Sequence, residues 1–222
     1  MSEHQINRQT LAELIDQSLL KPEATRDQIE AMCREADQYG FAAVFVNSCY
    51  TKLCSDVLAQ SKVKVGTVAG FPLGACATEV KVCEARLGID RGADEIDMVM
   101  NIGALKSGDD EYLEQDIRAV VEVCRGKALV KVIIEAPLLS TTEKVKACLL
   151  AQEIGADFVK TSTGFGPGGA TVEDVALMRA TIGDTMGIKA SGGIRNYDTA
   201  MALVKAGANR IGTSAGVIIV TE

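Results

Sequence analysis

A closed parallel α/β barrel is the fold class the sequence predicts, and two patterns predict it. Eight short apolar segments rich in Val and Ile, near residues 14, 42, 64, 95, 129, 157, 187 and 209, alternate with stretches of helical periodicity. Four junctions between a helix and the next strand are also alike: YGFAAVFV at 39, RGADEIDMV at 91, IGADFVKTS at 154 and AGANRIGTS at 206. In each, glycine supplies a left-handed cap and the following residues enter a strand. Such recurrence implies one supersecondary unit used many times. The competing fold, a doubly wound open sheet, would carry a GxGxxG-type turn after its first strand, and none is present. The 222 residues suit a barrel of about 200 to 250 residues, with no linker or second domain in view. Residues 1–222 are therefore expected to form a single (β/α)8 TIM barrel with an extra N-terminal helix.

In order, a helix is expected over 7–15, covering the barrel's bottom, and then a short strand stopped by Pro22. Thr25 caps a helix over 26–39 that ends at Gly40, and 42–47 is a buried strand. A helix over 51–61 and a strand over 63–72 follow. Further helices are expected near 78–91, 110–125, 142–154, 172–182 and 196–206, and further strands at 129–134 and 187–191.

Composition narrows the chemistry. A formal net charge of -7 argues against a nucleic-acid binder, which needs a basic face. Apolar runs such as ALVKVIIEAPLL are broken by charge short of a membrane span, and no N-terminal segment resembles a signal peptide. The seven cysteines are odd in number with no CxxC pair, which reads as reduced thiols of a cytoplasmic protein. His4 is the only histidine and lies in the N-terminal tail, so a histidine-built metal site is not expected.

In such a barrel all strand carboxyl ends face one mouth. The polar residues there are Asp16, Ser18, Asn47, Asp97, Asn101, Lys131, Glu135, Lys160, Thr161, Lys189, Ser191 and Ser214. Three lysines on barrel strands are unusual, because buried lysine is costly unless paired or neutralised. Lys160, in DFVKTSTGF, is either a strand-end lysine solvating its charge or an amine able to attack carbonyls as a Schiff base. Lys189 ends the next strand, and two neighbouring cations in a dry pocket favour loss of one proton. Asp97, in EIDMVMNIG, points inward if Glu95 and Val99 do, and serves as proton shuttle, charge compensator or both. Lys131 is either part of that chemistry or a structural ion pair with Asp97 or Glu135. The glycine-rich turns ASGGIRN at 190–196 and GTSAG at 212–216 follow the last two strands, where barrels commonly cradle phosphate, and TSTGF at 161–165 adds another amide cluster.

These residues resemble the deoxyribose-phosphate aldolase family, class I aldolases of the barrel type. The resemblance covers almost the whole chain and rests on IDQSLLKPEAT at 15, EIDMVMNIG at 95, KVIIE at 131, FVKTSTGF at 158, GIKASGGIR at 187 and IGTSAG at 211. It implies that Lys160 is the Schiff-base lysine, that Lys189 lowers its pKa and that Asp97 transfers protons, with Asp16 and Lys131 completing the network. Gly192, Gly193 and Ser214 match phosphate-binding positions, with Gly164 an addition. The implied reaction is reversible cleavage of 2-deoxy-D-ribose 5-phosphate: Lys160 attacks C1, the iminium draws electrons as the C3–C4 bond breaks, and glyceraldehyde 3-phosphate and acetaldehyde leave. No metal or cofactor is implied, and a homo-oligomer, dimer or tetramer, is expected. The chain departs from the family pattern at Gln17 and Ser18, where IDHTLLKP is common. It departs again at Phe45, where relatives often carry a cysteine, so that strand presents no thiol, though Cys49 lies nearby. Two rivals stand beside this reading: another Schiff-base barrel lyase, and a barrel that only binds sugar phosphates.

Overall fold

The computed structural model describes residues 7–222, so His4 lies outside the described residues. Eight parallel strands close on themselves in sequence order: β1 Ile15–Leu19, β2 Ala43–Val46, β3 Lys64–Ala69, β4 Glu95–Val99, β5 Leu129–Ile133, β6 Phe158–Lys160, β7 Gly187–Ser191 and β8 Arg210–Thr213. Closure is by β8 on β1, with Ile15 beside Ile211 and Asp16 beside Gly212. The helices outside are α1 Arg8–Ala12, α2 Arg26–Tyr39, α3 Thr51–Val57, α4 Thr78–Asp90, α5 Ile102–Ser107, α6 Asp110–Cys124, α7 Thr141–Ile154, α8 Val172–Ile182, α9 Tyr197–Lys205 and α10 Gly216–Thr221. Among the described residues no helix is long and apolar enough to cross a membrane.

The four like junctions all precede even-numbered strands, and each does the same work. Gly40, Gly92, Gly155 and Gly207 have φ of 68°, 91°, 90° and 118°, values that suit glycine. The next residue then donates its N–H back into the helix, as Phe41 does to Ala36 and Ala156 to Ala151. In three of the four, a polar residue one place further on locks the new strand to the previous one. Asp94, Asp157 and Asn209 donate their backbone N–H to the carbonyls of Val65, Val130 and Ile188. Their side chains accept from the N–H groups of those same residues at 2.9, 2.8 and 2.7 Å.

Three expectations change. The third strand stops at Ala69, because Gly70, at φ 63°, turns the chain into a loop. An unforeseen helix, α5, follows β4: the Asn101 side chain caps it by accepting from the Ala104 N–H, and Gly108 ends it. The N-terminal helix does not lie beneath the barrel. Arg8 donates to the Ile219 carbonyl and lies 4.7 Å over the Tyr197 ring, which puts α1 on the flank beside α9 and α10.

Inside the barrel, bulk and glycine alternate between strands. An added Cβ on Gly66 would meet the Phe45 ring at 2.3 Å, and one on Gly187 would meet Phe158 at 2.2 Å. Gly212 leaves room in the same way for the Lys189 side chain. Two rings and a lysine thus occupy space that three missing side chains leave.

Candidate active site

Register sets the site. Lys160 stands beside Lys189, and Lys131 stands beside Asp97 on one side and Phe158 on the other. Alternation along the strands turns all of these side chains into the barrel. Asp97 lies between the lysines: its Oδ2 accepts from Lys160 Nζ and from Lys189 Nζ, each at 2.7 Å, and its Oδ1 lies 3.3 Å from Lys131 Nζ. Lys189 also pairs with Asp16 Oδ2 at 2.6 Å and sits 3.5 Å over the Phe45 ring. The sequence therefore brings Asp16, Asp97, Lys131, Lys160 and Lys189 into one buried cluster.

Two members were not foreseen. Glu95 makes a close ion pair with Lys131, and Arg210 joins Glu95 at 3.2 Å to Asp16 Oδ1 at 2.6 Å. This corrects the expected partner of Lys131, which pairs with Asp97 as foreseen but with Glu95 in place of Glu135. Glu135 lies beyond the strand and accepts from Thr163 instead. The inward alternation of EIDMV held the information for Glu95. Arg210 lies where the junction AGANRIGTS enters the last strand, and nothing in that junction points to its carboxylate partners.

The charges are unequal in number. Lys131, Lys160, Lys189 and Arg210 face Asp16, Glu95 and Asp97, four potential cations against three carboxylates, so the cluster is neutral when one lysine is uncharged. Geometry selects Lys160, which has a share of one carboxylate oxygen and a ring, Phe71, only at 5.9 Å, whereas Lys189 has two carboxylates and the Phe45 ring at 3.5 Å. Burial, reinforced by Lys189 and Lys131 and opposed by Asp97, brings the Lys160 ammonium down to about 8. Burial also disfavours charge at Lys131, but Asp97, Asp16 and Glu95 outweigh it and raise its pKa. At Asp97 and Asp16 burial favours the neutral acid, yet the surrounding cations hold both below the usual carboxylate range.

Above the cluster opens a cleft of about 320 Å³ whose lining includes Lys160, Gly164, Gly192, Gly193, Arg195 and Ser214. Gly164, Gly192 and Gly193 all have positive φ. The N–H groups of Gly164, Gly192, Gly193 and Ser214 donate to no protein acceptor among the described residues. Unpaired amides lining a cleft are the kind of group that suits an anion, and Lys21 and Arg195 add positive charge to the same lining. Gln17, a departure from the family pattern, ties this rim to β1 by accepting from the Gly216 N–H at 2.9 Å.

Other polar residues at the mouth are structural. Thr161 and Ser191 bond to each other across β6 and β7, Asn47 donates to the Leu20 carbonyl, and Asn101 caps α5. A second cleft, of about 420 Å³, lies at the strands' amino ends around Lys64, Arg125 and Lys127, away from Lys160.

Comparison with known proteins agrees with this geometry. Residues 10–220 match the family described as DeoC/LacD family aldolase. The deoxyribose-phosphate aldolase of Streptococcus gordonii is 62% identical over 209 residues, 94% of each chain. That of Thermococcus kodakarensis is 58% identical over 218 residues, 97% of each chain. Among solved structures, the aldolase QR15 superposes with a TM-score of 0.91 at 41% identity, covering 95% of this chain and 94% of its own. The deoxyribose phosphate aldolase of Aeropyrum pernix, described as a unique tetrameric structure, has a TM-score of 0.90 at 36% identity, over 96% of this chain and 91% of its own.

Proposed function

The chain belongs to the DeoC/LacD family of aldolases, and from that premise we propose how it works as a deoxyribose-phosphate aldolase. It reversibly cleaves 2-deoxy-D-ribose 5-phosphate to D-glyceraldehyde 3-phosphate and acetaldehyde through a Schiff base on Lys160. The observation that carries this reading is the environment of Lys160: buried, at the foot of a cleft, and held at a pKa of about 8. About one Lys160 in ten is then the free amine at pH 7, against roughly one in 2,500 for an ordinary lysine.

The neutral Lys160 amine adds to C1 of the open-chain sugar, and the carbinolamine loses water to give the iminium. Carbon count corrects the expected scission. Acetaldehyde carries C1 and C2, so the bond that breaks is C2–C3, the one placed to deliver its electrons to the iminium, and not C3–C4. The C3 hydroxyl gives up its proton as that bond breaks, and C2 of the enamine takes a proton before water releases acetaldehyde. Asp97, in contact with both Lys160 and Lys189, handles these protons. Asp16 and Lys131 hold Asp97 and Lys189 in register with Lys160. The N–H groups of Gly164, Gly192, Gly193 and Ser214 bind the 5-phosphate. A homo-oligomer is the working assembly, a reading supported by the tetramer described for the Aeropyrum pernix relative.

The test is borohydride reduction in the presence of acetaldehyde, followed by intact mass and peptide mapping, alongside an assay of 2-deoxy-D-ribose 5-phosphate cleavage. A two-carbon adduct confined to Lys160, with turnover of the sugar phosphate, is expected. Adduct spread over surface lysines, or none, would mean that Lys160 is not activated and would favour the barrel that only binds sugar phosphates.

A further inference from the structure

Glu135 is a buried carboxylate near the mouth that the mechanism leaves unused. It is also the only non-glycine residue with positive φ among those described, at 52°. A non-glycine residue in that region is strained and persists where surrounding structure enforces it. The strain turns the chain sharply after β5 and drives the Glu135 side chain under the loop that follows β6, where it is 2% exposed.

Its contacts there are specific. Oε2 accepts from the Thr163 hydroxyl at 2.6 Å and from the Thr163 N–H at 3.2 Å. The same hydroxyl accepts from the Phe165 N–H at 3.1 Å. One carboxylate thus fixes the amides on both sides of Gly164 and leaves the Gly164 N–H without a protein acceptor. Oε1 is buried without a hydrogen-bond partner. It abuts Gly166, where an added Cβ would come within 2.9 Å, so the loop has given up a side chain to let the carboxylate in.

We propose that Glu135 is a positioning residue for the substrate's phosphate: it acts through Thr163 to hold the Gly164 amide ready for an anion, and takes no part in carbon chemistry at Lys160. The inference rests on the reading of Gly164, Gly192, Gly193 and Ser214 as the phosphate cradle. A carboxylate would repel an anion if it faced one, and here Oε2 is engaged by Thr163 while Oε1 is buried against Gly166. The device converts a buried negative charge into an oriented N–H donor.

The experiment compares wild type, Glu135→Gln and Glu135→Gly in three readouts: KM and kcat for 2-deoxy-D-ribose 5-phosphate, inhibition by inorganic phosphate, and the rate of acetaldehyde trapping on Lys160. Glu135→Gln keeps an acceptor for Thr163 but loses the charge. Glu135→Gly relieves the backbone and releases the loop. Expected are a rise in KM and in the phosphate inhibition constant, about tenfold for Glu135→Gly and less for Glu135→Gln, by the loss of one charge-assisted bond. Trapping by the phosphate-free acetaldehyde should stay within twofold, and the thermal midpoint of Glu135→Gly should not fall, because strain leaves with the contact. Unchanged KM in Glu135→Gly, or equal loss of trapping and of phosphate affinity, would overturn the proposal. If inorganic phosphate fails to compete in the wild type, the phosphate cradle itself is wrong, an outcome distinct from failure at Glu135 alone.

Discussion

Lys160 and Lys189 are adjacent, both buried and both bonded to Asp97 Oδ2, yet their surroundings differ enough to give them different work. Lys189 is held by Asp16, Asp97 and the Phe45 ring, and its charge presses on Lys160. Removing that charge lets Lys160 keep its proton. The acid limb of kcat/KM, expected near pH 8 in the wild type, should therefore move upward in Lys189→Met, toward the ordinary lysine value of about 10.4. At pH 7 the variant would be slower by one to two orders of magnitude and would recover in part as pH rises, a pattern that pH profiles of cleavage would show. An active Lys189→Met enzyme with an unmoved acid limb would remove Lys189 from this role. At this scale much was legible. A lysine closing a short apolar run, as in DFVK and GIK, has few reasons to be there. Glu95 and Arg210 were harder to see because their partners lie across the barrel: Arg210 meets Glu95 over 115 positions and Asp16 over 194.

Elements place these residues only if each strand starts at the right level, and the repeated junction sets that level. Asp157 shows how: its N–H goes to the Val130 carbonyl and its side chain takes the Val130 N–H, so β6 cannot slide along β5 without breaking both. At β8 the same place is held by Asn209, through its Oδ1. The bond therefore needs an amide or carboxyl oxygen and no particular charge. Asp157→Asn should be nearly neutral in stability, whereas Asp157→Ala should cost about 1 kcal/mol, the worth of one backbone-directed hydrogen bond. Urea denaturation of the two variants tests this, and equal losses in both would mean that charge, not the bond, is what counts. The glycines of this junction were visible as a sequence repeat, while the stitching role of the third residue was not, because neither Asp nor Asn at a strand start announces its partner. Helix α5 is not legible in the sequence for a related reason. It is six residues long, too short for periodicity to register, and the Asn101 cap and the Gly108 stop that delimit it also read as an ordinary loop.

Across the whole molecule, the barrel interior is a charge-balanced electrolyte wrapped in an apolar shell. Its balance is what makes an uncharged Lys160 compatible with folding. Three carboxylates need three cations, and Lys131, Lys189 and Arg210 suffice. Protonating Lys160 adds a fourth cation to a closed space, and its pKa of about 8 measures the penalty. Because the folded value lies below the unfolded one of about 10.4, the unfolded chain holds more protons at this group between those limits. Stability from this position is accordingly present above pH 10.4 and lost as pH falls through 8. At neutral pH the wild type carries the full penalty, on the order of 3 kcal/mol. Lys160→Met removes the penalised charge, leaves three cations against three carboxylates and keeps the chain's bulk. It should be inactive, yet more stable than wild type by about 2 kcal/mol at pH 7, and the advantage should shrink as pH rises from 8 toward 10. Paired urea titrations at pH 7, 8.5 and 9.5 read that difference directly. A Lys160→Met protein less stable than wild type at pH 7, or one whose advantage ignores pH, would mean that Lys160 is a structural cation in this cluster, and the amine's availability for attack would then need another source.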